Sequence, residues 1–358
     1  MAGHASFNSM NRFSGLPLVL VCLGFASSGM ADGIADPLSA EIARSQKQLE
    51  ALPSSPFVDS ERPRVQGQLD DALNMLKANR VSTALESFSS AIPGVSALAR
   101  AGTGWDDTGK GAGKGIYILA REWEEVGRII QRDRPEFTTP RPGGQSLFIR
   151  ALAEQSFGQI DEHYAVAVDY GRYSGVTSGA YYLGRSEGHL ALALFLSRLE
   201  APPSHTAPTL SSLAMPINRV ESDLVSAYAR PGSTAQHANF ILANSSLKLA
   251  KELNDRGSYR GALVTLLRSL FALTLATTPA PGPAEEAVLA ARADELARTF
   301  AASNRDESIG EAFVEKARIA LEKCRAGGEN AERERLRALA LLDTVVPRYI
   351  EIMKGLKG

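Results

Sequence analysis

Five of the nine tyrosines lie between Tyr164 and His189, where the spacing of polar side chains could build a binding pocket. On one predicted helix, His163 and Tyr170 share a face; on the next, Tyr182, Arg185 and His189 follow at helical spacing. We predict a binding site made of His163, Tyr170, Tyr173, Tyr182, Arg185 and His189. Tyrosine and arginine are enriched at binding hot spots, and with histidine they can hold a polar or aromatic group. The alternative is that the tyrosines pack a helix crossing with their hydroxyls at its rim.

No other residues form a recognisable catalytic or metal centre. The histidines beyond the N-terminal segment are His163, His189, His205 and His237, with no pair at a four-residue interval. The motifs HExxH and CxxCH do not occur, and the GxSxG match at residues 184–188, GRSEG, lies within a predicted helix and not at the strand-to-helix turn of a nucleophile elbow. We therefore expect a non-catalytic protein with no catalytic residue, no metal and no cofactor. The alternative is an enzyme, a hydrolase or lyase, with a site in the hairpin between Tyr164 and His189.

Residues 104–111, GWDDTGKG, match the first seven positions of a phosphate-binding P-loop. The eighth position holds Gly111, where the working motif needs a serine or threonine for magnesium. The preceding residues are predicted to be helical, and Asp106 and Asp107 would repel phosphate. We interpret this stretch as a surface loop.

Helices must position these side chains, because apolar residues recur at helical spacing and runs of Val, Ile and Thr are scarce. Residues 247–270 predict two amphipathic helices that meet at a turn containing Gly257 and Ser258. Each helix has one apolar face, so the pair needs neighbours to cover it. A helix is also predicted over 81–92, and a C-terminal one over 330–354 in which Pro347 marks a kink or break. We predict an all-α fold.

The helix pair at 247–270 resembles a tetratricopeptide repeat, in which small and large residues alternate around a glycine turn. The residues in this order are Ala250, Leu253, Gly257, Tyr259, Ala262, Leu266 and Ser269. A second stretch, with Ala72, Met75, Asn79, Val81, Ala84, Phe88 and Ala91, follows the same order, although Asn79 and Val81 replace the glycine and the aromatic residue. The resemblance implies an array of antiparallel helical hairpins in a tetratricopeptide-like right-handed superhelix, with a concave face that binds proteins or peptides. An irregular α-α bundle is the alternative architecture.

The N-terminal residues predict a secretory signal peptide. Arg12 precedes the apolar run 16–25, and small residues follow up to Ala31, near which we expect cleavage. We expect residues 1–31 to be this signal, 32–200 an N-terminal helical region and 201–358 a C-terminal helical-repeat region, or one continuous array from 32 onwards. The mature chain is then periplasmic or secreted, without membrane insertion.

The nearly equal numbers of basic and acidic residues indicate which class of partner the chain can bind. The chain has 39 basic and 40 acidic residues, which argues against nucleic acid because such partners favour a basic surface. We expect a protein or peptide partner. After signal cleavage Cys324 is the one remaining cysteine, so no disulfide forms within the chain, and we expect Cys324 to be a half-buried core residue.

Overall fold

The computed structural model describes residues 33–102, 115–138, 144–173, 175–201, 203, 205–228 and 237–355, with the backbone alone at 115–118, 136–138, 172 and 173. The helices are α1 Ala35–Glu50, α2 Pro56–Lys77, α3 Val81–Ala101, α4 Gly115–Thr138, α5 Leu147–Tyr173, α6 Val176–Arg198, α7 Ala214–Tyr228, α8 His237–Asp255, α9 Tyr259–Thr277, α10 Glu286–Ala301, α11 Ser308–Arg325, α12 Ala331–Leu339 and α13 Val346–Gly355. The segment 1–31 and the P-loop-like residues 104–111 lie outside the described residues.

The predicted all-α fold is confirmed. In the part of the chain that the structure describes there is no β-strand, and Thr206 and Arg305 form an isolated bridge. The helices pack in consecutive pairs, which is compatible with a helical-repeat fold. The pair predicted at 247–270 corresponds to α8 and α9, and it is covered on both sides because α7 packs on α8 and α5 packs on α9.

The two repeat-like turns share one backbone geometry. At the end of α8, Gly257 adopts φ +76°, and the N–H of Ser258 donates to the carbonyl of Leu253 at 2.9 Å. At the end of α2, Asn79 adopts φ 57°, and the N–H of Arg80 donates to the carbonyl of Met75 at 2.9 Å. Asparagine tolerates this left-handed conformation better than most residues, so it can replace glycine here. Ser258 occupies the N-cap position of α9, but its side chain makes no capping hydrogen bond.

A row of packed helices runs in the order α2, α3, α6, α5, α9, α8 and α7. Glycines let α6 approach α3 closely. A Cβ on Gly184 would lie 2.4 Å from the carbonyl oxygen of Ser96, and one on Gly188 would lie 2.6 Å from the Cα of Pro93. Because α6 has α3 on one side and α5 on the other, the side chains between α5 and α6 are held in a fixed position.

The structure corrects the predicted end of the helix over 81–92 and defines the kink or break predicted at Pro347. The helix predicted to end at residue 92 continues through Pro93 to Ala101, since this part of α3 is buried between α2 and α6 and tertiary packing offsets the lost hydrogen bond. At the C-terminus, the predicted break is a π-helical turn, Ala340–Val345, which ends two residues before Pro347. A π turn shifts the hydrogen-bond ladder, which accommodates the missing N–H of Pro347.

Distant residues cap the helices of this row. The Glu154 carboxylate of α5 accepts from the N–H groups of Arg260 and Gly261 at 3.1 and 3.0 Å, at the start of α9. The Asp306 carboxylate accepts from the N–H of Leu147 at 2.6 Å, at the start of α5. These bonds fix where α5 begins and how α9 lies on it.

Helix α9 is long and apolar enough to span a membrane by length and composition. However, 72% of the most apolar window in this helix is buried in the structure. Such burial is typical of the core helix of a folded domain, and a single candidate of this kind is weak evidence for a membrane span.

Candidate functional site

Four of the predicted side chains form a continuous row of rings between α5 and α6. The ring centroids of Tyr170 and Tyr182 are 4.3 Å apart, those of Tyr182 and His163 are 6.1 Å apart, and those of His163 and His189 are 4.8 Å apart. We call these four residues the ring row. It runs from the surface, where Tyr170 is 39% exposed, to the interior, where His189 is 5% exposed.

Hydrogen bonds from α5 orient both imidazoles. Nδ1 of His163 lies 2.9 Å from the carbonyl oxygen of Gln159, which can only accept, so Nδ1 carries the hydrogen. Ser156 Oγ lies 3.1 Å from Nδ1 of His189 and 2.9 Å from its carbonyl oxygen. Both contacts are satisfied when the hydroxyl donates to the carbonyl and Nδ1–H donates to Oγ. Nε2 of each ring is then a bare acceptor, and that of His189 is buried without a partner among the described residues.

Burial keeps His163, His189 and Tyr182 neutral. It lowers the pKa of His163 to about 4, with the positive charge of Arg185 acting in the same direction and the bond to Gln159 opposing both. Burial also lowers the pKa of His189 well below its ordinary value, helped by His163 and Arg185. For Tyr182, burial and the hydroxyl of Tyr170 raise the pKa to about 12. At neutral pH all three groups are therefore uncharged.

Arg185 brings a positive charge to this neutral row. Its guanidinium carbon lies 6.0 Å from the ring centroid of Tyr181, and the side chain makes no hydrogen bond or ion pair with any residue that the structure describes. Its Nε is buried and has no acceptor among those residues. A buried donor without an acceptor costs about 1–3 kcal/mol, so the described residues do not fully satisfy the Arg185 guanidinium.

The structure brings together His163, Tyr170, Tyr182, Arg185 and His189 and leaves Tyr173 undecided, because the side chain of Tyr173 lies outside the described residues. Sequence reasoning missed Ser156 and Gln159, which orient the imidazoles. Their positions seven and four residues before His163, on the same helical face, could have indicated them.

The Ser156–His189 contact bears on the enzyme alternative. Ser156 is 4% exposed and His189 is 5% exposed, so a substrate could not reach the hydroxyl without separating α5 from α6. The serine proton is also donated to a carbonyl, where a nucleophilic serine would donate it to the imidazole. The contact therefore has the geometry of a packing interaction. Within the described ranges, no group of three or more His, Cys, Asp or Glu residues could hold a metal ion.

A separate apolar surface lies on α7 and α8. Val225, Tyr228, Ile241 and Leu242 are 64%, 69%, 57% and 54% exposed, and the Tyr228 ring lies edge-on to Phe240 with centroids 6.1 Å apart. We call these four exposed side chains the α7–α8 patch. Exposed apolar side chains grouped in this way are typical of surfaces that contact another molecule.

Cys324 is buried, at 4% exposure, and its thiol donates to Glu286 at 3.0 Å. Burial, together with the hydrogen bond and the negative charge of Glu286, raises the pKa of this thiol. It is therefore a core residue with little thiolate character.

No protein-family model matches the chain. Comparisons with curated proteins and with solved structures likewise found no match. The helical pairs are therefore established by the structure alone.

Proposed function

We propose that the chain is a non-catalytic binding module that holds a protein or peptide partner at the outer end of the ring row. The observation that carries the proposal is the Arg185 guanidinium, which is partly buried, lacks a partner among the described residues and lies beside aromatic rings. A half-buried guanidinium of this kind can hold a carboxylate at its terminal nitrogens. The partner would place an acidic side chain on Arg185 and contact the exposed face of Tyr170.

The proposed architecture is a divergent tetratricopeptide-like array. The shared turn geometry at Asn79 and Gly257 supports it, as do the buried small residues Ala84 and Ala262 at matching positions of the two pairs. In such an array the side chains between neighbouring pairs form one binding face.

We also propose that the protein acts outside the cytoplasm, in the periplasm or as a secreted protein. The support is the sequence pattern of residues 12–31, a basic residue followed by a short apolar run and small residues. N-terminal sequencing of the protein recovered from an extracytoplasmic fraction tests this, and a retained N-terminal segment would refute cleavage near Ala31.

Partner capture from envelope extract, with the mature chain immobilised, tests the binding site. Tyr182→Ala combined with Arg185→Ala should abolish capture while the far-UV circular dichroism spectrum is unchanged. Arg185→Gln alone should weaken binding about 10- to 100-fold, since a hydrogen bond to a charged group contributes about 1.5–3 kcal/mol. Arg333→Gln, at an exposed arginine remote from the ring row in sequence, is the matched control.

Loss of the folded state in the double variant, with Arg185→Gln binding normally, would assign the ring row to packing alone.

A second candidate, a structural component that assembles through the α7–α8 patch, is favoured by the exposure of Val225, Tyr228, Ile241 and Leu242. Capture that survives Arg185→Gln but is lost with Ile241→Ser would support this second candidate.

A further inference from the structure

A pocket with a basic rim lies in the C-terminal half, formed by helices other than α5 and α6. Helix α9 contributes Arg268 and Phe271, α11 contributes Lys316 and Lys323, α12 contributes Arg337, and the π turn contributes Leu341. The pocket has a volume of about 190 Å³. We call it the basic pocket.

Positive charge exceeds negative charge on the pocket lining. The four cations are Arg268, Lys316, Lys323 and Arg337, and the one lining carboxylate is Glu334. Glu334 is already engaged, since its Oε1 accepts from Nη1 of Arg337 at 2.7 Å.

Two of the other cations, Arg268 and Lys316, share one carboxylate, that of Glu86, which is not part of the lining. Glu86 is 9% exposed; its Oε1 accepts from Nη2 of Arg268 at 2.9 Å, and its Oε2 pairs with Lys316. Burial acts to raise the pKa of Glu86, but these two cations more than offset it and the pKa is lowered, so the carboxylate is ionised. A third carboxylate, Glu315, accepts from the N–H and hydroxyl of Thr83, which also lines the pocket, at 2.9 and 2.6 Å.

Lys323 adds to the excess of positive charge on the pocket lining. Its side chain is exposed and makes no hydrogen bond or ion pair with the residues that the structure describes. Lys316, with 27% of its side chain exposed, has to share Glu86 with Arg268, and burial lowers its pKa. Lys323 is thus available to a further anion, and Lys316, seven residues earlier on the same helix face, adds the charge that the shared Glu86 leaves unbalanced.

Apart from Thr83 of α3, the rest of the lining is apolar. Phe271, Phe313, Ile319 and Leu341 form the walls. The nitrogen of Lys316 lies 5.3 Å from the ring centroid of Phe313, so the charge sits beside the apolar wall. A ligand that satisfies both features has an anionic end and a compact hydrocarbon body.

Volume limits the size of that ligand. The volume of the basic pocket is about 190 Å³. Sites for drug-sized ligands have about 300–1,000 Å³. The space therefore suits a small acid with a few carbon atoms beyond the carboxylate.

We propose that the basic pocket binds a small organic acid, a branched or aromatic hydrocarbon group that carries one carboxylate. The carboxylate lies between Lys316 and Lys323, and the hydrocarbon group packs on Phe271, Ile319 and Leu341. This site is independent of Arg185 and of the partner proposed for the ring row.

The probe is 3-methylbutanoate, with 3-methylbutanamide as a neutral compound of the same shape and acetate as an acid without the branched group. Binding to the full chain is measured at low salt by saturation-transfer NMR titration. The acid should bind at least about tenfold more tightly than the amide or acetate, and its affinity should fall as salt is added, because exposed charges are screened.

Variants locate the site. Lys323→Gln should weaken 3-methylbutanoate about three- to fivefold, as expected for a partly exposed charge pair, and Lys323→Glu should weaken it further. Lys77→Gln, at another exposed lysine, and Arg185→Gln should leave this affinity unchanged. Equal binding of acid and amide, an unchanged affinity in Lys323→Glu, or no saturation of the acid on the order of 10 mM would overturn the proposal.

Discussion

Replacing His163 by phenylalanine should make the folded state less sensitive to acid. Phenylalanine keeps a flat ring against Tyr182 and His189, whose centroids lie 6.1 and 4.8 Å from that of His163, but it cannot take up a proton. Among the described residues, the charged and titratable groups beside His163 include Arg185, His189 and Tyr182. Arg185 disfavours a positive charge on His163, and burial keeps His189 and Tyr182 neutral.

The magnitude follows from the two pKa values of His163. The pKa is about 4 in the folded chain, against an ordinary value of 6.5. The unfolded chain therefore binds the proton more tightly, so stability is complete above the ordinary pKa and decreases as pH falls towards the folded value. At about pH 5 the difference amounts to a factor of about 30 in the folding equilibrium, or about 2 kcal/mol. His189, whose pKa is also lowered, adds a loss of the same sign.

Urea unfolding followed by far-UV circular dichroism, at about pH 7.5 and about pH 5, measures this contribution. The free energy of unfolding of the wild type should fall by about 2 kcal/mol more between the two pH values than that of His163→Phe. Carboxylates that titrate over this interval affect both proteins equally and cancel in the comparison. His237→Gln, at an exposed histidine, should behave as the wild type does. Identical pH dependence in His163→Phe and the wild type would refute the claim that the folded chain holds this imidazole neutral.

Two further predictions concern the helices that hold the ring row. Glu154→Ala should lower the free energy of unfolding in urea by about 2–4 kcal/mol, because the buried N–H groups at the start of α9 lose their acceptor, whereas Glu252→Ala at a more exposed pair should cost under about 1 kcal/mol. Equal losses would mean that Glu154 does not cap α9. Gly184→Ala should cost about 1–3 kcal/mol, since its Cβ would lie 2.4 Å from the carbonyl oxygen of Ser96, while Gly67→Ala, with nothing within 4 Å, should stabilise the chain by up to about 1 kcal/mol. If Gly184→Ala is as stable as the wild type, α3 and α6 are not as close as the structure indicates.

Much of the local structure was predictable from the sequence because it depends on residues within one or two helical turns. The all-α fold follows from apolar residues at helical spacing, and the turn at Gly257 follows from a residue that tolerates positive φ. The shared face of His163 and Tyr170 on α5, and of Tyr182 and Arg185 on α6, follows from helical periodicity in the same way.

Partners from distant parts of the chain were decided only by tertiary packing. Pro93 stays inside α3 because helices on both sides bury it, an effect that no local pattern encodes. Helical spacing put Arg185 beside tyrosines, but whether any carboxylate reaches it depends on which helices become neighbours. The basic pocket likewise combines Arg268 with Lys323 across 55 residues, and its excess of positive charge arises because Glu86, from α3, is shared between two cations. Sequence periodicity determines which side of a helix is apolar. Which other helix covers that side is determined by the packing of the whole chain, because the contacts involved join residues far apart in sequence.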